Sequence, residues 1–279
     1  IAVPFTPVSG RRILTKPGHE IIATESIIKA AKGIAKDNQV ASIHVTFCAK
    51  KEVDQAKKWD FLTRKNMQYH WFNNGYKNFD AFLAALSSRK RKALKKERRV
   101  ALEFGGEISQ LTGRDITPDL WDSFWTFYQD TGARKWGVPY LKRSFFDLIQ
   151  KNMRDDVLFV LAHRRGKHVA AALNFIGRDT LFGRYWGCNE EHSCLHYELC
   201  YYQAIDYALS KELSKVEAGA QGEHKLARGY LPVITNSMHW FLNEEFHYAI
   251  EKYLNNEKLI IDQQCNQILR EGPFKKEVV

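Results

Sequence analysis

The chain contains no apolar run that approaches the length of a membrane span and opens with no signal-peptide pattern. Its five cysteines are odd in number and include no CxxC pair. Reduced thiols in a cytosol account for them better than a disulfide framework. There is no HExxH. His192 and His196 have the i,i+4 spacing of two zinc ligands, but nothing completes a ligand set, and no metal is expected. The first residue is Ile1 rather than Met, and IAVPFTPVSGRR reads like the middle of a strand-and-loop region, so a further segment upstream is expected.

What is present is basic. The chain has 279 residues, is 44% hydrophobic and carries a formal charge of +10, enough apolar material for one large domain or two smaller ones and a charge suited to an anionic partner. The excess is concentrated: residues 89–99 (RKRKALKKERR) hold eight basic residues and one acid. Such a run is commonly a solvated helix face whose long stems lie over the core. Its density also sets like charges at i,i+4. Arg89, Arg91, Lys92, Lys95, Lys96 and Arg99 are therefore candidates for binding a phosphate backbone, as in tRNA, a lipid-linked diphosphate or an anionic membrane surface.

Periodicity places a short strand at 11–15 (RRILT), a helix over about 20–36, a strand in ASIHVTFCA and one or two more in FLTRKNMQYHWFN. One long helix is expected from Asn78 to about Arg99, stopped by Gly105-Gly106. Beyond it come a strand (EISQLTG), a helix opened by Thr117-Pro118, a helix over 142–153, and a hairpin of two strands joined at Arg165-Gly166-Lys167. A third strand (TLFGRYWGC), a helix over 194–209, a strand in VEAGAQ and a last strand in SMHWFLN follow, then a helical C-terminal stretch. This order is that of an acyltransferase domain of the GNAT type, a mixed α/β sheet with helices on both faces. The boundary is expected near Gly105-Gly106, giving a first part over 1–105 and a second over 106–279.

The stretch of densest chemistry is Glu217 to Pro232, EAGAQGEHKLARGYLP, with two carboxylates, a His, a Lys, an Arg and a Tyr among glycines that permit unusual dihedrals and close backbone approach.

Together with FGRYWGC, HYELCYYQAIDYAL, AVPFTPVSGRR and FLAALSSRKRKALKKERR, that stretch resembles the FemAB-like family of bacterial N-acyltransferases, whose members are described as peptidoglycan biosynthesis or recognition proteins. The resemblance runs over nearly the whole chain. It implies two GNAT-like halves, the first incomplete at its N-terminus, and transfer of an acyl or aminoacyl group to an amine. More distantly, Gly219, Lys225 and Gly229-Tyr230 resemble a pattern of Fem-type aminoacyl transferases in which a Lys lies near the acyl carbonyl.

Acyl transfer to an amine requires a proton acceptor and donors for a tetrahedral oxyanion. In that reading Glu217, Glu223 and His224 are candidate bases and Lys225 and Arg228 candidate oxyanion or anion partners, unless they are solvated residues in surface ion pairs. Gln221 and Tyr230 belong to the same stretch as candidate substrate contacts. Glu198 and Tyr201 share a helix face that either meets substrate or packs. One of Tyr185 and Trp186 points toward the site by strand alternation, and Tyr185 is taken as a contact. The loop where a GNAT enzyme holds coenzyme A pyrophosphate would be GCNEEHS (187–193), but Glu190 and Glu191 oppose an anion there. The acyl donor is left open between acyl-CoA and an aminoacyl-tRNA, and the acceptor between a small molecule and a cell-wall precursor. The place of action is cytoplasmic, or peripheral to the inner membrane. The competing reading is a non-catalytic binding module with a degenerate acyltransferase fold, recognising a peptidoglycan precursor or nucleic acid.

Overall fold

A computed structural model describes residues 1–275 apart from 5, 135, 136, 138, 220 and 221. The chain folds into two compact units, Ile1–Gln68 with Pro232–Glu271, and Tyr69–Leu231 with the segment from Gly272. Gly105-Gly106, the expected boundary, lies inside the second unit. Gly105 adopts φ 71°, a conformation that ends the basic helix, and Leu94 and Ala101 of that helix are buried.

The first unit contains a helix (Glu20–Asp37), β1 (Ser42–Val45), the start of β2 (Leu62–Phe72), most of β8 (Leu231–Phe241) and a long helix (Glu244–Arg270). β1 and β8 are antiparallel, Ser42 opposite Phe241 and Val45 opposite Met238. Ile13, Ile28, Val45, Phe61, Met238 and Trp240 pack together beneath them. The strand expected at 11–15 does not form. The Glu52 carboxylate accepts from the Arg12 and Ile13 amides, each at 2.8 Å, and so takes the donors that a ladder would need.

The second unit is a mixed sheet in the order β2, β7 (Lys215–Glu217), β6 (Thr180–Cys188), β5 (Lys167–Ile176), β4 (Val157–Arg164), β3 (Glu107–Thr112). All pairs are antiparallel except β6 with β7, which is parallel. Strand, two helices (Pro118–Arg134 and Arg143–Met153), three strands, helix and strand follow one another, the order of a GNAT-type fold. Pro118 begins its helix, where a missing N–H costs nothing. Arg165 and Gly166 both have positive φ, the two-residue turn that suits the twist of a hairpin. Trp121, Phe124, Phe127, Phe146, Phe159 and Leu173 form the core between the helices and one sheet face. Gly187 lets the Phe127 carbonyl approach β6: a Cβ there would lie 2.5 Å from its oxygen.

Two expected helices are interrupted. The stretch 78–99 divides into Phe79–Ala85 and Ser88–Leu102. Leu86 bridges Phe274, and the Ser87 amide donates to Pro273 O at 2.9 Å, so the chain bends out to meet the C-terminal segment. The helix after β6 begins as α-helix (Leu195–Tyr197), widens into a π-turn over Glu198–Tyr202 and resumes over Gln203–Ser210. β7 is shorter than VEAGAQ and β8 begins earlier than SMHWFLN. No helix among the described residues is long and apolar enough to cross a membrane.

Candidate functional site

β6 and β7 pair over only three residues, ending at Phe182 opposite Glu217. β6 continues to Cys188 while β7 stops, and the β5–β6 register is irregular at Leu173/Asn174. A cleft of about 640 Å3 opens there, in the second unit, walled by Gly183–Trp186, by His196, Cys200 and Tyr201, by Ala218, Gly222, His224 and Lys225, and by Tyr128 and Tyr140. The π-turn explains the helical contribution. Its wider period brings residues i, i+4 and i+5 to one face, so His196, Cys200 and Tyr201 reach the cleft together.

Lys225 sits on a 3-10 turn, Glu223–Arg228. It is 3% exposed, and its Nζ donates to Gly219 O at 3.0 Å. Burial pulls its pKa down to about 8, since an ammonium removed from water loses hydration. No carboxylate is among the described lining residues, so none restores it. The His224 Nε2 lies 2.8 Å from the Tyr201 hydroxyl. Burial, then the charges of Arg228 and Lys225, lower the His224 pKa, which keeps the ring neutral at neutral pH. Burial raises the Tyr201 phenol well above its ordinary value. Gly222 adopts φ 114°, and a Cβ there would lie 2.5 Å from the His224 ring, so glycine is what lets the imidazole fold back toward Tyr201.

Arg228 is not in the cleft wall. Its Nη1 donates to His224 O at 2.7 Å, its Nη2 to Glu97 at 2.9 Å, and its guanidinium carbon lies 3.4 Å from the centre of the Tyr197 ring. Glu97 also accepts from the Tyr202 hydroxyl. Arg228 thus anchors the backbone of His224 to the basic helix.

The other expected site residues lie elsewhere. Glu198 is 1% exposed and is held by Arg98 Nη2 at 2.8 Å and Gln203 Nε2 at 2.8 Å; Arg98 also pairs with Asp206 at 2.7 Å. With its lone pairs so engaged, Glu198 faces the basic helix and not the cleft. Glu217 accepts from Lys215 Nζ at 2.6 Å and is absent from the cleft wall. Tyr230 is buried, its hydroxyl donating to Tyr201 O at 3.4 Å. Glu223 is exposed outside the cleft, and Gln221 lies outside the described residues. Tyr185 and Trp186 both line the cleft, because β6 has lost its neighbour on one edge there. Tyr185 shares a hydrogen bond of 2.8 Å with Tyr140. On the basic helix Arg89, Lys92, Lys95, Lys96 and Arg99 are exposed, Arg91 is half-buried, and Glu97 and Arg98 make internal pairs. In the 187–193 loop each acid already has an arginine: Glu190 meets Arg164 at 2.5 Å and Glu191 meets Arg134 at 2.7 Å.

Sequence reasoning missed Cys200, His196, Arg184, Tyr128, Tyr140 and Asn174 as cleft residues. Only Asn174 carried a local signal, a polar residue buried within AAALNFI.

A search of curated proteins finds no sequence match. The fold is similar to that of FemX, with a TM-score of 0.56 and 14% identity over 89% of this chain and 85% of that one. It is also similar to L-PGS from Bacillus licheniformis, with a TM-score of 0.57 and 9% identity over 84% and 79% of the two chains. The C-terminal domain of a putative lysylphosphatidylglycerol synthetase from Agrobacterium fabrum gives a TM-score of 0.58 and 9% identity over 82% and 75%. A family model described as peptidoglycan biosynthesis/recognition matches residues 1–276, and the chain belongs to that FemAB-like family.

Proposed function

We propose that the protein is an N-acyltransferase that moves an acyl or aminoacyl group onto an amine in this cleft, with a cell-wall precursor as acceptor. The observation that carries the reading is the meeting of a neutral His224–Tyr201 pair and a buried Lys225 amine in a cleft whose described wall has no carboxylate. An acceptor amine must be neutral to attack, and surroundings that lower the pKa of Lys225 and His224 favour the neutral form of an incoming amine as well. His224, through Tyr201, takes the proton released when the amine adds to the acyl carbon. Lys225 Nζ has donors beyond the one used on Gly219 O and stabilises the oxyanion. Arg228 positions His224 without touching substrate.

The family description and the fold shared with FemX and with a putative lysylphosphatidylglycerol synthetase support an aminoacyl donor and a cell-wall or lipid acceptor. The exposed cations of Ser88–Leu102 would hold a phosphate-bearing donor or acceptor.

The test offers the protein acyl-CoA or aminoacyl-tRNA with a nucleotide-sugar peptide precursor and follows amide formation by mass spectrometry. Product from the native chain, with loss of turnover but retained precursor binding in Lys225→Met, supports the reading. Precursor binding without product from any donor, unchanged by Lys225→Met, would identify a binding module instead.

A further inference from the structure

Asn174 stands on β5 in the wall of the cleft and is 1% exposed. Its Nδ2 donates to the carbonyl oxygens of Leu158, at 3.3 Å, and Ala172, at 3.4 Å. Both partners can only accept, which fixes how the amide lies: its NH2 group faces those carbonyls and its Oδ1 faces away from them. Among the described residues nothing donates to that Oδ1. The residue opposite on β6 is Gly183, at the irregularity in the β5–β6 register. A Cβ on Gly183 would stand 3.4 Å from Asn174 Oδ1 and 3.5 Å from Ala218 Cα, and Gly183 and Ala218 both line the cleft. The missing side chain is what leaves the oxygen open to it. Gly219 lies over the same place, since a Cβ on it would fall 4.0 Å from Gly183 O, and Gly219 O is the acceptor of Lys225 Nζ. Asn174 and Lys225 therefore serve one end of the cleft.

We propose that Asn174 Oδ1 receives an N–H of the acceptor, so that Asn174 selects a primary amine and orients it for attack. This rests on the acyl-transfer reading above. A buried carbonyl oxygen without a donor is costly to the fold, and an N–H from a ligand meets the need. Elsewhere on the described wall, Lys225 and Arg184 only donate, and the Tyr201–His224 and Tyr140–Tyr185 pairs are each bonded within the pair. Neutrality matters as much as position. A carboxylate at this point would hold the nucleophile as its ammonium, whereas an amide oxygen aligns it and leaves it neutral. A primary amine has two N–H bonds and one lone pair. One N–H goes to Oδ1, the lone pair forms the bond to the acyl carbon, and the ester or thioester bond of the donor breaks. The second N–H proton passes through the Tyr201–His224 pair to the departing alcohol or thiol, and the amide product keeps the first.

The probes are the nucleotide-sugar peptide precursor and the same precursor with its free amine replaced by hydrogen, each titrated into the full chain by calorimetry. The native chain is expected to prefer the amine roughly tenfold, and Asn174→Ala to bind the two alike, which isolates this one contact. Should the alanine variant misfold, Gly183→Ala tests the same point. Gly183 has no left-handed dihedral, and the added methyl would meet its nearest neighbour, Asn174 Oδ1, at 3.4 Å, covering the oxygen without disturbing the sheet. No preference in the native chain, or a preference that survives both substitutions, overturns the proposal. If amide forms in the native chain while both variants keep the preference, acyl transfer stands without this contact. A preference lost in both variants, with no amide from any donor, leaves the contact standing and removes the transfer reading.

Discussion

The Tyr201 hydroxyl and the His224 Nε2 lie 2.8 Å apart, and they reach that distance from two different elements, one from a π-turn and the other from a glycine-started 3-10 turn. Both rings are held in their un-ionised forms, the phenol by burial and the imidazole by burial and neighbouring cations. The resting pair therefore carries no formal charge, and the imidazole becomes cationic only when a proton is delivered to it from outside the pair.

His224→Gln and Tyr201→Phe should each lower the acyl-transfer rate by roughly 10²- to 10⁴-fold with little change in melting temperature, since His224 is exposed at the cleft and Tyr201→Phe keeps the buried ring and removes only its hydroxyl. Rates and thermal melts of the two variants check this. Equal rates in Tyr201→Phe and the native chain would remove the phenol from the proton path.

Gly222→Ala should act like a partial His224 variant. The new Cβ would fall 2.5 Å from the imidazole at φ 114°, so the ring must move from Tyr201. The expected outcome is a lower rate with binding of the precursor kept, read from kcat against KM.

Lys225 is titrated out of its ordinary range, from 10.5 to about 8. In the unfolded chain it binds a proton up to 10.5, whereas in the fold it releases one near 8, so between those values the unfolded state holds more protons and stability rises with pH. Below about 8 the buried ammonium destabilises the fold by about 3 kcal/mol. Urea unfolding at pH 7 and pH 9.5 should show a rise in the native chain that is absent from Lys225→Met, with the variant the more stable at pH 7.

Arg98 and Lys92 lie on the same basic helix but should behave oppositely. Arg98→Ala leaves Glu198, 1% exposed, without its main partner, a loss expected to cost about 3–5 kcal/mol. Lys92 is exposed, and Lys92→Ala should change stability by no more than about 0.5 kcal/mol. Replacing Arg89, Lys92, Lys95, Lys96 and Arg99 together should instead flatten the salt dependence of binding to tRNA or to anionic vesicles. Binding measured at low and moderate salt separates these effects.

Along the chain, the residues themselves carried a good deal. Periodicity located the helices at 118–134 and 143–153 and the strands β3 to β6, because in those stretches each apolar residue answers to one local period. Arg165-Gly166 marked its hairpin turn, and the runs around FGRYWGC and EAGAQGEHK were enough to point to the FemAB-like family. The density of groups near His224 and Lys225 singled out a segment that does border the cleft. Other relationships depended on partners distant in sequence. Glu198 looks like a cleft carboxylate until Arg98, 100 residues earlier, is seen to hold it. The helix from Asn78 is continuous by pattern until Pro273 and Phe274 claim Ser87 and Leu86. Tyr201 shares the cleft wall with His196, five residues earlier, on a turn that is widened, a feature that no local pattern in the sequence marks. Local residue types determine which elements form and what chemistry they carry; tertiary structure decides which charge finds which partner, because an ion pair or a helix rotation is set by atoms from segments that no sequence window contains.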